Sequence, residues 1–217
     1  GFLFLSRAML AAAALALKRF FLDRSLESPR LTRRQLAVLV AFAALFPAVV
    51  AMIRGPEALA HAYSRQTYEY IGDIGIGGSI HGLFEEYAEK HAYLSMHSKV
   101  HPPGPVAILW FMSYIAGRTP MGLSIATILF GALSVIPMYY WAVDVLGARR
   151  GLIATLLYTL VPTIVIFTAT SADITFMPFT PTTLFLFWRA IPRPNLARSS
   201  LYALAAGVVY GLLGLIS

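Results

Sequence analysis

Four stretches of this chain, 35–53, 119–143, 151–172 and 199–217, run for about twenty residues or more without an Asp, Glu, Lys or Arg. A fifth, 174–188, is shorter and adjoins the third across the single acid Asp173. About 20 apolar residues are what a helix needs to cross the hydrocarbon core of a bilayer. Such runs leave a soluble domain too little polar surface. The chain is 58% hydrophobic and only 12% charged, with a mean hydropathy of +0.70, against roughly 25% charged for an average soluble domain. The expected fold class is therefore all-α: a polytopic integral membrane protein with about five to six transmembrane helices. Cysteine is absent, which excludes a disulfide framework, a thiolate metal site and a cysteine nucleophile.

The net charge of +7 reports topology rather than a nucleic-acid partner. Basic residues gather at Lys18, Arg19, Arg24, Arg30, Arg33 and Arg34, at Arg149–Arg150, and at Arg189, Arg193 and Arg198. Each cluster separates apolar runs, as cytoplasmic loops do under the positive-inside bias, and no basic stripe interleaved with aromatics marks a nucleic-acid surface. Placing 18–34, 144–150 and 189–198 in the cytoplasm puts a long loop, 54–118, on the outer face. This works only if 102–117, an apolar stretch broken by Pro102, Pro103 and Pro105, is an interfacial or re-entrant helix. The expected organisation is an N-terminal apolar helix with a basic loop over 1–34, serving as a span or anchor, then a transmembrane module over 35–217.

The outer loop differs in composition from the rest. It holds all five histidines and six of the ten acids, and loops this long are usually functional. Residues 80–94 alternate apolar and charged positions at helical spacing, which suggests an amphipathic helix at the membrane surface. Asp73 lies among Gly72, Gly75, Gly77 and Gly78, an acid in an apolar, turn-rich setting; near-membrane ionisable groups point to function, and a turn-forming Asp is the plain alternative. In His97-Ser98-Lys99-Val100-His101-Pro102-Pro103 the prolines push His101 towards an extended conformation at a rigid bend. Asp173, after Ser171-Ala172, reads either as the N-cap of the next helix or as a second acid on the face that carries Asp73 and His101. His97 and His101 are four apart, the spacing of a two-His metal site, but the prolines make a helix through them doubtful.

In order along the chain, these features resemble the GT-C membrane glycosyltransferases of the protein O-mannosyltransferase and lipid A aminoarabinose transferase type. The likeness rests on Asp73 near the start of the first outer loop, on His101-Pro102-Pro103 before an interfacial helix, on the basic turn Val145–Gly151, and on Ser171-Ala172-Asp173. It covers about residues 35–190, and it places the chain as the N-terminal module of a longer enzyme. Gly104 departs from the pattern, since a bulky apolar residue is common after the prolines, and so does Val100, where some relatives carry an acid.

The resemblance implies inverting transfer of a sugar from a polyprenyl-phosphate donor to an acceptor outside the cytoplasm, at a bacterial inner membrane. Asp73 would be the catalytic acid and Asp173 the second. His101, with Lys99 and His97, would meet the donor, and a divalent metal ion, if used, would be held by Asp73, Asp173 and His97. Partners would be the lipid-linked donor, the bilayer and other membrane subunits. The alternative is a non-catalytic scaffold or accessory subunit derived from such a transferase. A transporter would place ionisable groups beside broken helices at the midplane, and Pro137, Pro162 and Pro181 have no such neighbours.

Overall fold

The computed structural model describes residues 2–22, 30–191 and 195–216, with side chains from Arg7 onward; Arg24 and Arg193 of the basic clusters lie outside the described residues. Regular structure among the described residues is helical. The longer helices are α1 (Phe2–Leu17), α2 (Arg33–Met52), α3 (Ile80–Glu86), α4 (Gly104–Ala116), α5 (Pro120–Ala132), α6 (Val135–Leu146), α7 (Ala148–Leu160), α8 (Pro162–Thr168), α9 (Phe179–Ala190) and α10 (Leu196–Ile216). The all-α membrane class expected from the apolar runs is present. Among the described residues three segments are long and apolar enough to cross a membrane: α2, the rod Pro120–Leu146 formed by α5 and α6, and α10. The bent pair α7 and α8 makes a fourth if counted as one span. Helices α1 (16 residues) and α9 (12 residues) are apolar but shorter than these.

Prolines set these lengths. Pro137 has no N–H for the Leu133 carbonyl, which accepts instead from Ile136 N–H at 3.0 Å, and the rod is interrupted there. Val161, preceding Pro162, takes extended angles, as the residue before proline must, and α8 leaves α7 at 51°. The run 174–188 does not form one helix. Residues Ala172–Phe176 make a 3₁₀ turn, and α9 starts only after Pro178. At the other extreme α2 starts cleanly, because Thr32 and Gln35 form a reciprocal capping box.

One end of the bundle carries the basic segments. Leu31 N–H donates to Tyr139 Oη of α6 at 2.7 Å, and Arg189 Nε of α9 lies 2.7 Å from Asp144 Oδ2 at the end of α6. Loop 54–118 packs on the opposite end, where Ser124 of α5 donates to the Leu59 carbonyl and Tyr63 Oη donates to Thr127 Oγ1 at 2.9 Å. The loop is not an open excursion. Tyr63, Tyr70, Leu83, Tyr87 and Leu94 are buried with Val106, Leu109 and Trp110 of α4, with Leu123 of α5, and with Ala172. A separate cluster joins Leu39 and Ala43 of α2 to Ile128, Val135, Tyr139, Leu152 and Leu156.

Two expectations about the loop come out differently. The amphipathic helix over 80–94 shortens to α3, followed by turns and a 3₁₀ turn at His91–Tyr93. Helix α4 does form after the prolines. Its 13 residues rise about 20 Å, short of a hydrocarbon core about 30 Å thick. Its first residue, Gly104, lies against the end of α10: a Cβ there would sit 2.2 Å from the Leu215 carbonyl oxygen.

Candidate active site

Two strands of the loop lie side by side without forming a sheet. Met96 N–H donates to the Thr67 carbonyl at 3.3 Å and His97 N–H to the Tyr68 carbonyl at 3.1 Å. Gly72 lets the first segment fold back on itself, since a Cβ there would meet the Gln66 carbonyl oxygen at 1.9 Å. The pairing brings His97 Nδ1 to 3.1 Å from Glu69 Oε2, with 16% of the Glu69 side chain exposed. Tyr68 and Tyr70 flank the imidazole, with ring centroids at 5.1 and 5.6 Å. The Tyr70 ring in turn meets His101 at 5.9 Å, and His101 faces Phe176 at 6.4 Å.

Glu69 opens on a polar cleft of about 680 Å³, lined also by Arg54, Glu57, His61, Arg65 and Thr170. Among the described residues neither Arg54 nor Arg65 makes an ion pair. Burial pushes the Glu69 carboxyl above the usual carboxylate range; His97 and Arg65 pull it back, and the nearby Asp173 charge adds to the rise. Burial likewise raises the Tyr70 hydroxyl, with Asp173 again adding to the effect. Perturbed acids beside specific charged partners in a cleft mark candidate catalytic groups.

The residues expected from the sequence separate into two groups. His97 pairs with Glu69, His97 and His101 both pack on the Tyr70 ring, and the charge of Asp173 acts on Glu69 and Tyr70. Asp173 is exposed at the 3₁₀ turn Ala172–Phe176. It is not the cap of that turn: Ser171 Oγ accepts from Asp173 N–H at 3.2 Å. His101 has its Nδ1 buried without a partner. Lys99 is exposed, and its carbonyl accepts from His91 Nε2 at 3.0 Å.

Asp73 stands apart, 2% exposed, with both carboxylate oxygens accepting the Ser95 N–H at 3.0 and 3.1 Å. Among the described residues no group of three or more His, Asp or Glu is arranged to hold a metal ion, so the contingent set Asp73, Asp173 and His97 does not fit one. Glu69 was counted among the loop acids but not singled out. Its signal was Tyr68-Glu69-Tyr70, an acid between two aromatics four residues after Arg65.

The family profile described as dolichyl-phosphate-mannose-protein mannosyltransferase matches residues 100–216, just over half of the chain. The chain belongs to this family. Membership makes it a GT-C-type membrane glycosyltransferase module, in agreement with the resemblance carried by His101-Pro102-Pro103 and Ser171-Ala172-Asp173. It also implies a lipid-linked sugar donor. No curated protein and no solved structure matches the chain. The family match begins at Val100, so it includes His101 and Asp173, while Glu69, Asp73, His97 and Lys99 precede it.

Proposed function

We propose that this protein transfers a sugar from a polyprenyl-phosphate donor to a hydroxyl or amine acceptor, with Glu69 as the general base. The observation that carries this reading is the half-buried Glu69–His97 pair opening on a cleft with two uncommitted guanidinium groups. In a single displacement the acceptor heteroatom bonds to the anomeric carbon while the bond from that carbon to the phosphate oxygen breaks. The electron pair departs with the lipid phosphate, and the acceptor proton passes to Glu69. A base is most effective with a pKa near working pH, which the burial of Glu69 favours. Negative charge developing on the phosphate needs fixed cations. Arg54 and Arg65, lining the same cleft as Glu69, are better placed for this than Lys99 or the enclosed His101. Asp173 orients the base and the acceptor. An apolar crevice of about 700 Å³ between α2, α4 and α5 suits the isoprenoid tail.

The reading is tested with the intact protein in liposomes containing a radiolabelled polyprenyl-phosphate sugar and an acceptor panel. Appearance of free polyprenyl phosphate together with labelled acceptor is expected; no release with any acceptor of the panel would overturn it. The pH profile adds a second expectation. Protonated Glu69 cannot act as a base, so transfer is lost as pH falls through its pKa. Because that pKa is raised, the acidic limb should lie above the pH at which an ordinary glutamate ionises. A limb within the ordinary range counts against Glu69.

The loop-bearing face is assigned to the outside, at a bacterial plasma membrane, from the basic residues at the opposite end of the bundle. Exposed Ala88 and Ser200 lie on the loop and at the start of α10. In this cysteine-free chain, Ala88→Cys should react with an impermeant maleimide added to intact cells and Ser200→Cys should not. The reverse pattern would invert the assignment.

A further inference from the structure

The buried carboxylate of Asp73 has no opening to the cleft but has a definite partner on the turn that carries the histidines. Both its oxygens accept the Ser95 N–H. Ser95 Oγ donates to Ser98 Oγ at 3.1 Å and accepts the Ser98 N–H at 3.5 Å, which closes the turn on itself. At the far side of that turn Tyr87 Oη bonds the carbonyls of Ser98 at 2.7 Å and His101 at 3.1 Å. Residues 95–101 are thus gripped at both ends by side chains from elsewhere in the loop, and His97 lies between the grips, 3.1 Å from Glu69.

We propose that Asp73 is a positioning residue for sugar transfer: it fixes the 95–101 turn, and through it holds His97 against the base Glu69. This rests on the reading of Glu69 given above. An acid in the first loop of a chain like this looks at first like the base itself, yet this one is 2% exposed and both its oxygens face the Ser95 N–H. Its chemistry is that of an acceptor for a backbone N–H, a role that an amide oxygen also performs. A base has no such substitute, because an amide cannot take up the proton. The two roles therefore predict opposite outcomes for the same substitution.

The test is a set of variants of the intact protein in the liposome transfer assay, with kcat and the donor KM measured separately. Asp73→Asn keeps an acceptor for Ser95 and should retain kcat within about tenfold of the parent. Asp73→Ala releases the turn. A misplacement on the order of 1 Å in a supporting group costs about 100-fold, so its kcat should fall by about that factor while the donor KM stays within about twofold, since Arg54 and Arg65 are untouched. Rescue of the Ala defect by Asn is the readout that neither a base nor a bystander would give. Loss of transfer in Asp73→Asn as complete as in Glu69→Gln overturns the proposal, as does parental activity in Asp73→Ala. If Asp73→Ala does not fold, Asp73→Ser takes its place, since its shorter side chain leaves the Ser95 N–H without that acceptor, and the same fall in kcat is expected. Should Glu69→Gln prove fully active in the same assay, the fault lies with the assignment of the base.

Discussion

Glu69→Gln is expected to lower kcat for sugar transfer by about 1,000-fold, the middle of the range for removing a positioned general base. Glutamine keeps the length of the side chain and offers an oxygen to His97 Nδ1, now 3.1 Å from the carboxylate, so the paired segments 66–70 and 95–101 should hold their places. What it loses is the capacity to accept the acceptor's proton. The donor KM should change little, because the guanidinium groups that meet the phosphate belong to Arg54 and Arg65. Single-turnover transfer from a labelled donor separates the two quantities. Retention of kcat within tenfold would remove Glu69 from the chemistry and pass the role to another acid of the site.

The largest effect on stability should come from Gly104→Val. A Cβ at this position would stand 2.2 Å from the Leu215 carbonyl oxygen and 3.0 Å from Ile216 Cα. Both are backbone atoms, which cannot swing aside as a side-chain tip would, so α4 and the end of α10 must separate. Overpacking typically destabilises by about 1–3 kcal/mol, and this contact belongs at the top of that range. The thermal midpoint in detergent should drop by several degrees, with Gly104→Ala intermediate. An unchanged midpoint for the valine variant would show that α10 does not lie where it is described. The glycine after the two prolines, a departure from the pattern of similar enzymes, thereby acquires a reason: a helix remote in sequence occupies the space of its side chain.

The bundle was largely legible because hydrophobic runs obey a local rule. Apolar stretches without charge gave α2, the α5–α6 rod and α10 to within a few residues, and paired prolines announced the start of α4. Where local rules compete, the structure departs from the hydrophobic pattern. Pro178 and Pro181 lie inside an apolar run, and proline's missing N–H is tolerated only in a first turn, so α9 starts late and is short. Asp173 has the look of a cap, but Ser171, two residues earlier, is the cap, its Oγ accepting from Asp173 N–H.

The candidate site was legible only in part, because its decisive contacts span the loop. Glu69 gains its meaning from His97, 28 residues on, and Asp73 from the Ser95 amide, 22 residues on. No periodicity encodes either distance. The composition of the loop marked the region where chemistry resides. Which acid is buried against a backbone amide and which faces a cleft follows only from how the loop closes on itself.

The two main buried clusters share no residue, one formed by the loop and α4 with Leu123 of α5 and Ala172, the other between the long helices. Segments with separate cores open as separate cooperative units, each with its own free energy. Ala172, beside Asp173, belongs to the loop's cluster, whereas Ile174 on the other side of that acid packs on Gly131 of α5, so Asp173 sits at the seam between the two units. If the loop unit loosens to admit substrate, its amides are expected to exchange before those of the long helices, with α5, which contributes residues to both clusters, marking the boundary.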